Sequence, residues 1–256
     1  MLNKKKKYLQ IALNSDISEA KKVIFQIPLS ERIIIEAGTP LIKAYGANAI
    51  TAIKDAWHRR VFGTTPVPLQ LSPVAKAIYR GIGDKINKKK AEKQSIPLAP
   101  YIVADLKCMD RGFREVEITK NSGASAATVL GHAPIETIDA FIAHCKELGV
   151  DSMIDMMNVK FPLGVLRELK ELPEVVILHR GVDEEDYNRE KQVPYHEVQR
   201  IKSQYDIMIA VAGGDTISEV QTAIFNDVDI VILWRDFFQS DGEIVKITEQ
   251  FLKEIR

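Results

Sequence analysis

Short apolar runs rich in β-branched residues alternate with longer amphipathic segments from one end of the chain to the other. Runs that are nearly continuous in apolar character mark parallel strands buried on both faces. They fall at 8–13, 32–37, 101–106, 126–130, 152–156, 175–179, 207–212 and 229–233. A helical segment follows each. Ser15 or Asp16 can cap the first, over 18–25, and the second is expected over 41–57. The third covers 113–121 and ends at Gly123, a residue free to take a left-handed C-terminal cap. Pro134, Pro162 and Pro194 open the fourth, fifth and sixth, and Gly149 closes the fourth. The last two span 218–225 and 243–255. Eight strand–helix units fit either a closed barrel or an open doubly wound sheet. Eight is the number that closes a barrel, and no Gly-x-Gly-x-x-Gly follows the first strand. The expected fold class is therefore α/β, a single (β/α)8 TIM barrel spanning 1–256.

One stretch interrupts the rhythm. Between helix 2 and strand 3, an insertion of about 59–100 has no strand–helix unit of its own. It begins in the turn-rich 63–68 and continues with Val74, Ile78, Ile82 and Ile86, spaced every four residues, before the lysines at 88–90. That spacing predicts an amphipathic helix. It would pack on the barrel or across a subunit contact, or else serve as a lid, a partner-docking helix or a membrane-surface helix.

Composition narrows the function. Lys plus Arg number 35 and Asp plus Glu number 35, so the balanced chain has no global electrostatic reason to bind nucleic acid, and any anion site must be local. Two distant cysteines, Cys108 and Cys145, form no Cys-x-x-Cys pair. They argue against a disulfide framework and fit a reducing compartment, with a cytoplasmic location expected. No stretch approaches the roughly 20 apolar residues of a membrane span.

In such a barrel, chemistry gathers where strands end. Those positions hold Asn14, Glu36, Asp105, Lys107, Asp110, His132, Asp155, His179, Arg180, Gly213, Gly214 and Arg235. Singly, Glu36 could be a paired structural carboxylate, His179 a core histidine and the glycine pair a tight turn. Together they are harder to set aside, because charges gathered at one barrel end cost free energy unless they serve each other or a ligand. Asp105 and Lys107, two apart on a strand, face the same way, and Asp110 follows in the loop. A lysine flanked by carboxylates stays protonated beside an anionic intermediate. Glu36 and Asp105, with substrate oxygens and water, make an ordinary Mg²⁺ shell. Gly213 and Gly214, before the seventh helix, offer bare amides to a phosphate, and Arg235 a matching charge.

The segments Leu9-Gln-Ile-Ala-Leu13, Ile35-Glu-Ala-Gly-Thr-Pro-Leu-Ile-Lys43, Ala104-Asp-Leu-Lys-Cys-Met-Asp110, Asp155-Met-Met-Asn-Val159 and Ala210-Val-Ala-Gly-Gly214 carry a resemblance over nearly the whole chain outside the insertion. The chain resembles the orotidine 5′-phosphate decarboxylase superfamily, and within it the 3-hexulose-6-phosphate synthase / 3-keto-L-gulonate-6-phosphate decarboxylase group. The resemblance implies that Glu36 and Asp105 hold Mg²⁺ and that Lys107 stabilises an enediolate. It makes His179 the acid–base histidine, Asp155 the acidic residue of strand five, and Gly213, Gly214 and Arg235 the phosphate region. Asp110 becomes a carboxylate crossing a homodimer interface into a shared active site. The stretch 179–183 looks more like the synthase, since the decarboxylase has arginine where Val182 stands.

The implied reaction is aldol addition of formaldehyde to D-ribulose 5-phosphate, a small phosphorylated sugar. Two departures bear on the substrate. Asn14 stands where the family has Asp, and Trp234 stands where a glycine-containing loop meets the phosphate. The alternatives are a related decarboxylase or lyase with a different phosphorylated substrate, in which Asn14, Trp234 and Phe237 reshape the pocket, and a non-catalytic barrel that binds a ligand or partner through 59–100.

Overall fold

The computed structural model describes residues 1–63, 97–188, 190–213, 217–233 and 243–254, with Val74, Gly81, Lys85, Lys88 and Lys89 individually. Eight parallel strands form a closed barrel in chain order: β1 (Tyr8–Leu13), β2 (Ile33–Ala37), β3 (Tyr101–Cys108), β4 (Ala126–Leu130), β5 (Asp151–Asp155), β6 (Val175–His179), β7 (Met208–Ala212) and β8 (Ile230–Leu233). β8 pairs back onto β1, with Leu9 opposite Val231. The expected TIM barrel is the fold. Around it run α1 (Ile17–Gln26), α2 (Thr39–Tyr45), α3 (Ala47–Phe62), α4 (Gly112–Ser122), α5 (Ile135–Leu148), α6 (Pro162–Glu168), α7 (Val182–Tyr187), α8 (His196–Lys202), α9 (Ile217–Phe225) and α10 (Glu243–Glu254).

Alternation along each strand divides the apolar residues into two cores. Leu9, Ile11, Ile33, Ile35, Ile102, Val176 and Ile209 face outward and pack against the helices. Tyr8, Ala12, Ile34, Val103, Met153, Ile177 and Met208 face inward and fill the barrel. The inner set is small toward the C-terminal ends of β1 and β7, with Ala12 and Ala212, so space is left there. The opposite end is closed by polar ties: the Tyr101 hydroxyl donates to Asp151 at 2.6 Å and the Leu2 amide to the same carboxylate at 3.2 Å.

Several local expectations hold. Asp16 caps α1, accepting the Glu19 amide at 2.9 Å, and Gly123 and Gly149 close α4 and α5 with left-handed φ of 88° and 65°. Others need correction. The single helix expected over 41–57 is two, because Gly46 takes φ 57° and ψ −142°, a conformation that side-chain-bearing residues avoid. Pro134 caps α5 from outside its first turn. The short α7 was not expected: none of its residues is buried, so it leaves no apolar period to read. Within the insertion, Val74 is helical and exposed, whereas Ile78, Ile82 and Ile86 lie outside the described residues.

Trp57 joins the two sides of the insertion. Its ring is fully buried among the helices, and its Nε1 donates to the Pro97 carbonyl at 3.1 Å. Trp57→Ala should therefore lower unfolding free energy by about 3–5 kcal/mol, and Trp57→Phe, which loses mainly the hydrogen bond, by about 1–2 kcal/mol. Urea denaturation measures both. A loss under about 1 kcal/mol for the alanine variant would mean that this contact is not holding α3 to the barrel.

Candidate active site

The space left at the C-terminal end is a cavity of about 260 Å³ lined by the polar ends of the strands, among them Asn14, Glu36, Asp105, Lys107, Asp155, His179 and Gly213. Inward parity explains most of this set. Gln10 and Asn14 continue the inward row of Tyr8 and Ala12, Glu36 that of Ile34, Asp105 that of Val103, Thr128 that of Ala126, Asp155 that of Met153, and His179 that of Ile177.

Lys107 reaches the cavity by a different route. Ala104 pairs with Ala127, but Cys108 pairs with Val129, so four steps along β3 match two along β4. The surplus forms a bulge in which Lys107 adopts φ 47°, unusual for a residue with a side chain. Thr128 supports this backbone. Its hydroxyl accepts the Lys107 amide at 3.0 Å and donates to Asp105 Oδ1 at 2.8 Å. Thr39, at the start of α2, donates to Asp105 Oδ2 at 2.7 Å. The expectation that Asp105 and Lys107 share a face holds, although a bulge rather than regular strand geometry brings them together.

The charged centre is compact. Lys107 Nζ lies 2.8 Å from Asp105 Oδ2 and 3.0 Å from Asp155 Oδ2, and His179 Nδ1 lies 2.8 Å from that same Asp155 oxygen. Asp155 Oδ1 accepts the Met157 amide at 2.9 Å. Burial alone would raise the Asp155 carboxyl, but His179 and Lys107 outweigh it and hold it well below the usual carboxylate range. Burial likewise opposes the charge on Lys107, and Asp105 and Asp155 reverse that effect and keep the ammonium protonated. His179 follows the same logic: burial lowers its pKa, Asp155 raises it, and the net direction is upward. Its Nδ1 is committed to Asp155, which leaves Nε2 for proton transfer.

Glu36 behaves oppositely. Burial, reinforced by the Asp105 carboxylate, pushes it up to about 7. Gln10 Nε2 donates to Glu36 Oε2, while Gln10 Oε1 is buried without a partner among the described residues. Asn14 lies over Gly38, where a Cβ would fall 1.8 Å from the Asn14 Oδ1, so this glycine makes room for the Asn14 amide.

Of the residues expected from sequence, the cavity brings together Asn14, Glu36, Asp105, Lys107, Asp155, His179, Arg180 and Gly213. It does not include Asp110, which is exposed in the loop between β3 and α4, with its carbonyl accepting the Cys108 thiol at 3.2 Å. His132 is exposed as well. Gly214, Arg235, Trp234 and Phe237 lie outside the described residues. Gln10, Thr39 and Thr128 were missed. Gln10 and Thr128 were visible as polar residues interrupting apolar strands, and Thr39 stood within the stretch 35–43.

A family model described as orotidine 5′-phosphate decarboxylase / HUMPS family matches residues 88–249. The chain is 32% identical over 251 residues to a protein of Methanothrix thermoacetophila named bifunctional enzyme Fae/Hps, covering 97% of this chain and 53% of that one. It thus spans about half the length of the curated relatives it matches. Among solved structures, 3-hexulose-6-phosphate synthase from Salmonella typhimurium superposes with a TM-score of 0.71 at 26% identity, covering 96% of this chain and 99% of that one. KGPDC from Streptococcus mutans shares the fold, with a TM-score of 0.65 at 16% identity, covering 98% of this chain and 99% of that one.

The Asp155–His179 contact has a measurable signature. In the wild type, the His179 imidazole should titrate above 6.5. In Asp155→Asn, burial and the Lys107 charge are opposed only by the smaller pull of Asp105, and the pKa should fall below the wild-type value. An NMR titration of the ring resonances that gave the same midpoint in both proteins would disprove the coupling. Because the folded pKa is raised, the stability this contact contributes is full below 6.5 and is lost as pH rises through the folded value.

Proposed function

The chain belongs to the orotidine 5′-phosphate decarboxylase / HUMPS family, and on that premise we propose that it is a 3-hexulose-6-phosphate-synthase-like aldehyde-lyase. The reaction is reversible addition of formaldehyde to D-ribulose 5-phosphate. The observation that carries this reading is the shared Asp155 oxygen, which holds an acid–base imidazole and a permanently charged ammonium side by side. Proton removal next to a carbonyl creates negative charge, and these two groups are what such a step requires.

In the forward direction, His179 Nε2 takes a proton from C1 of the ketose. Lys107 faces the enediolate oxygen that forms and stabilises it from a position fixed by Asp105 and Asp155. C1 then attacks formaldehyde, and the proton held by His179 passes to the new alkoxide. The protonated imidazole is favoured by Asp155, so the proton is retained between the two steps. Gly213 belongs to the phosphate region, with Gly214 and Arg235 completing it on the sequence reading.

A divalent ion fits the same wall. Glu36 and Asp105 offer hard oxygens, Glu36 Oε1 is left uncommitted by the bond to Gln10, and a cation would offset both causes that raise Glu36, its burial first and the Asp105 charge second. Among the described residues, no three His, Cys, Asp or Glu side chains converge on one point, so substrate oxygens and water would complete the shell. Bound there, Mg²⁺ would chelate the ketose oxygens and lower the cost of enolisation.

Asp110 is proposed to act in a neighbouring subunit's site. It sits on an exposed loop flanked by Met109 and Phe113, 46% and 55% exposed, an apolar surround suited to a homodimer contact. Both cysteines are free and buried, which suits the cytoplasm, and among the described residues no helix is long and apolar enough to cross a membrane. A non-catalytic barrel is the weaker reading, since a binding module has no use for this costly cluster of buried charge.

Formaldehyde consumption with ribulose 5-phosphate should require Mg²⁺, stop with EDTA, and fall at least about 10²–10³-fold in Lys107→Ala. Near-wild-type turnover in that variant would sink the mechanism. Mixing inactive Lys107→Ala and Asp110→Ala proteins should restore roughly a quarter of wild-type activity, because half of the reassorted dimers then carry one intact shared site. Absence of any recovery would place Asp110 outside a shared site.

A further inference from the structure

Inside the barrel, β1 interrupts an apolar layer. Gln10 stands in the inward row between Tyr8 and Ala12, and its register partners on the flanking strands are Ile34 and Ile232, both inward and apolar. It is 1% exposed. A buried amide costs free energy unless its groups are paired, and only half of this one is. Nε2 donates to Glu36 Oε2, whereas Oε1 has no partner among the described residues. Leucine or methionine would fill the same layer without that cost, so the amide serves Glu36 rather than the core.

Strand register explains the reach. Glu36 lies opposite Ala12, one pleat closer to the cavity than Gln10, so the glutamine side chain meets the carboxylate from below. An ionised carboxylate only accepts, and the NH2 side of the amide must therefore face it. The bond turns Oε2 toward Gln10 and leaves Oε1 as the oxygen that Glu36 can offer. Among the described residues Glu36 makes no ion pair, while Asp105 and Asp155 both bind Lys107. Gln10 is thus what fixes the orientation of Glu36.

Asp105 is restricted by different means. Its Oδ2 accepts from both Thr39 and Lys107, and its Oδ1 from Thr128. With roughly two acceptor positions per carboxylate oxygen, what remains free is on Oδ1. The two carboxylates therefore present one oxygen each. Such a donor set suits a small octahedral cation like Mg²⁺, which takes one or two carboxylates and keeps several waters. Ca²⁺ is larger, takes more ligands and readily binds both oxygens of one carboxylate. We propose that Gln10 is a positioning residue that holds Glu36 to one-oxygen coordination and so favours Mg²⁺ over Ca²⁺. The inference rests on the divalent-ion reading of Glu36 and Asp105, but not on which reaction the ion assists.

The test uses metal-free, full-length wild type, Gln10→Met and Gln10→Leu. Each is loaded with Mn²⁺, whose free-ion EPR signal reports the unbound fraction, and titrated with Mg²⁺ or Ca²⁺ as competitor. The titrations are run with and without ribulose 5-phosphate and always without formaldehyde, so no product forms. Both variants should lose about ten- to a hundredfold in Mg²⁺ affinity, while Ca²⁺ affinity changes less than about threefold. A residue that merely supported the fold would weaken both ions alike. Methionine matches glutamine in length, so if Gln10→Leu melts early, Gln10→Met carries the test. Equal losses for the two ions overturn the inference, as does an unchanged Mg²⁺ affinity. A wild type that binds none of the three ions overturns it together with the metal site. Preference for Mg²⁺ that depends on Gln10, in a protein inactive with ribulose 5-phosphate and formaldehyde, upholds the inference and removes the aldol reading instead.

Discussion

A single carboxylate oxygen organises the charged end of this barrel. Asp155 Oδ2 accepts from both Lys107 and His179, and Asp155 is almost completely buried. A lone carboxylate at that depth would take up a proton or destabilise the fold by several kcal/mol. Two cations make its charge tenable, and in return they are held within reach of each other. The dependence then spreads outward. Lys107 also needs Asp105, Asp105 is held by Thr39 and Thr128, and Thr128 accepts the amide of Lys107 itself. The circuit closes on its starting point, so no member can move without exposing another's unpaired charge or donor.

The barrel supplies the positions for this circuit through strand parity. Outward residues anchor the helices, while inward residues form a plug of apolar side chains at one end and a charged wall at the other. The change from Ile34 to Glu36 on β2, or from Met153 to Asp155 on β5, crosses from core to chemistry in one pleat. Precision follows from this short step, because the charged side chains of the cavity stand directly on the closed sheet.

Much of this was legible in the sequence, and the exceptions have identifiable causes. Continuous apolar runs located the strands to within a residue or two at most ends, because strands buried on both faces are uniformly apolar. The break at Gly46 was hidden because an isolated glycine is tolerated inside many helices and signals a break only through its φ. Helix α7 was hidden because it buries nothing. Parity pointed to Asp105 and Lys107 together, yet the β3 bulge depends on how β3 registers against β4, a relation between segments that no local pattern encodes. Thr128 and Gln10 needed only the recognition that a polar residue facing into a barrel must have a partner.

The β3 bulge has a consequence for how such a site can arise. The surplus is two residues, an even number, so Ala104 and Cys108 both still face the helices. With two, the sheet on either side keeps its register, and the outer core is unaffected by what the extra pair carries. Leu106, between the two charges, still packs against the outer core, so the charged pair is added to the inside of the barrel without loss on its outside.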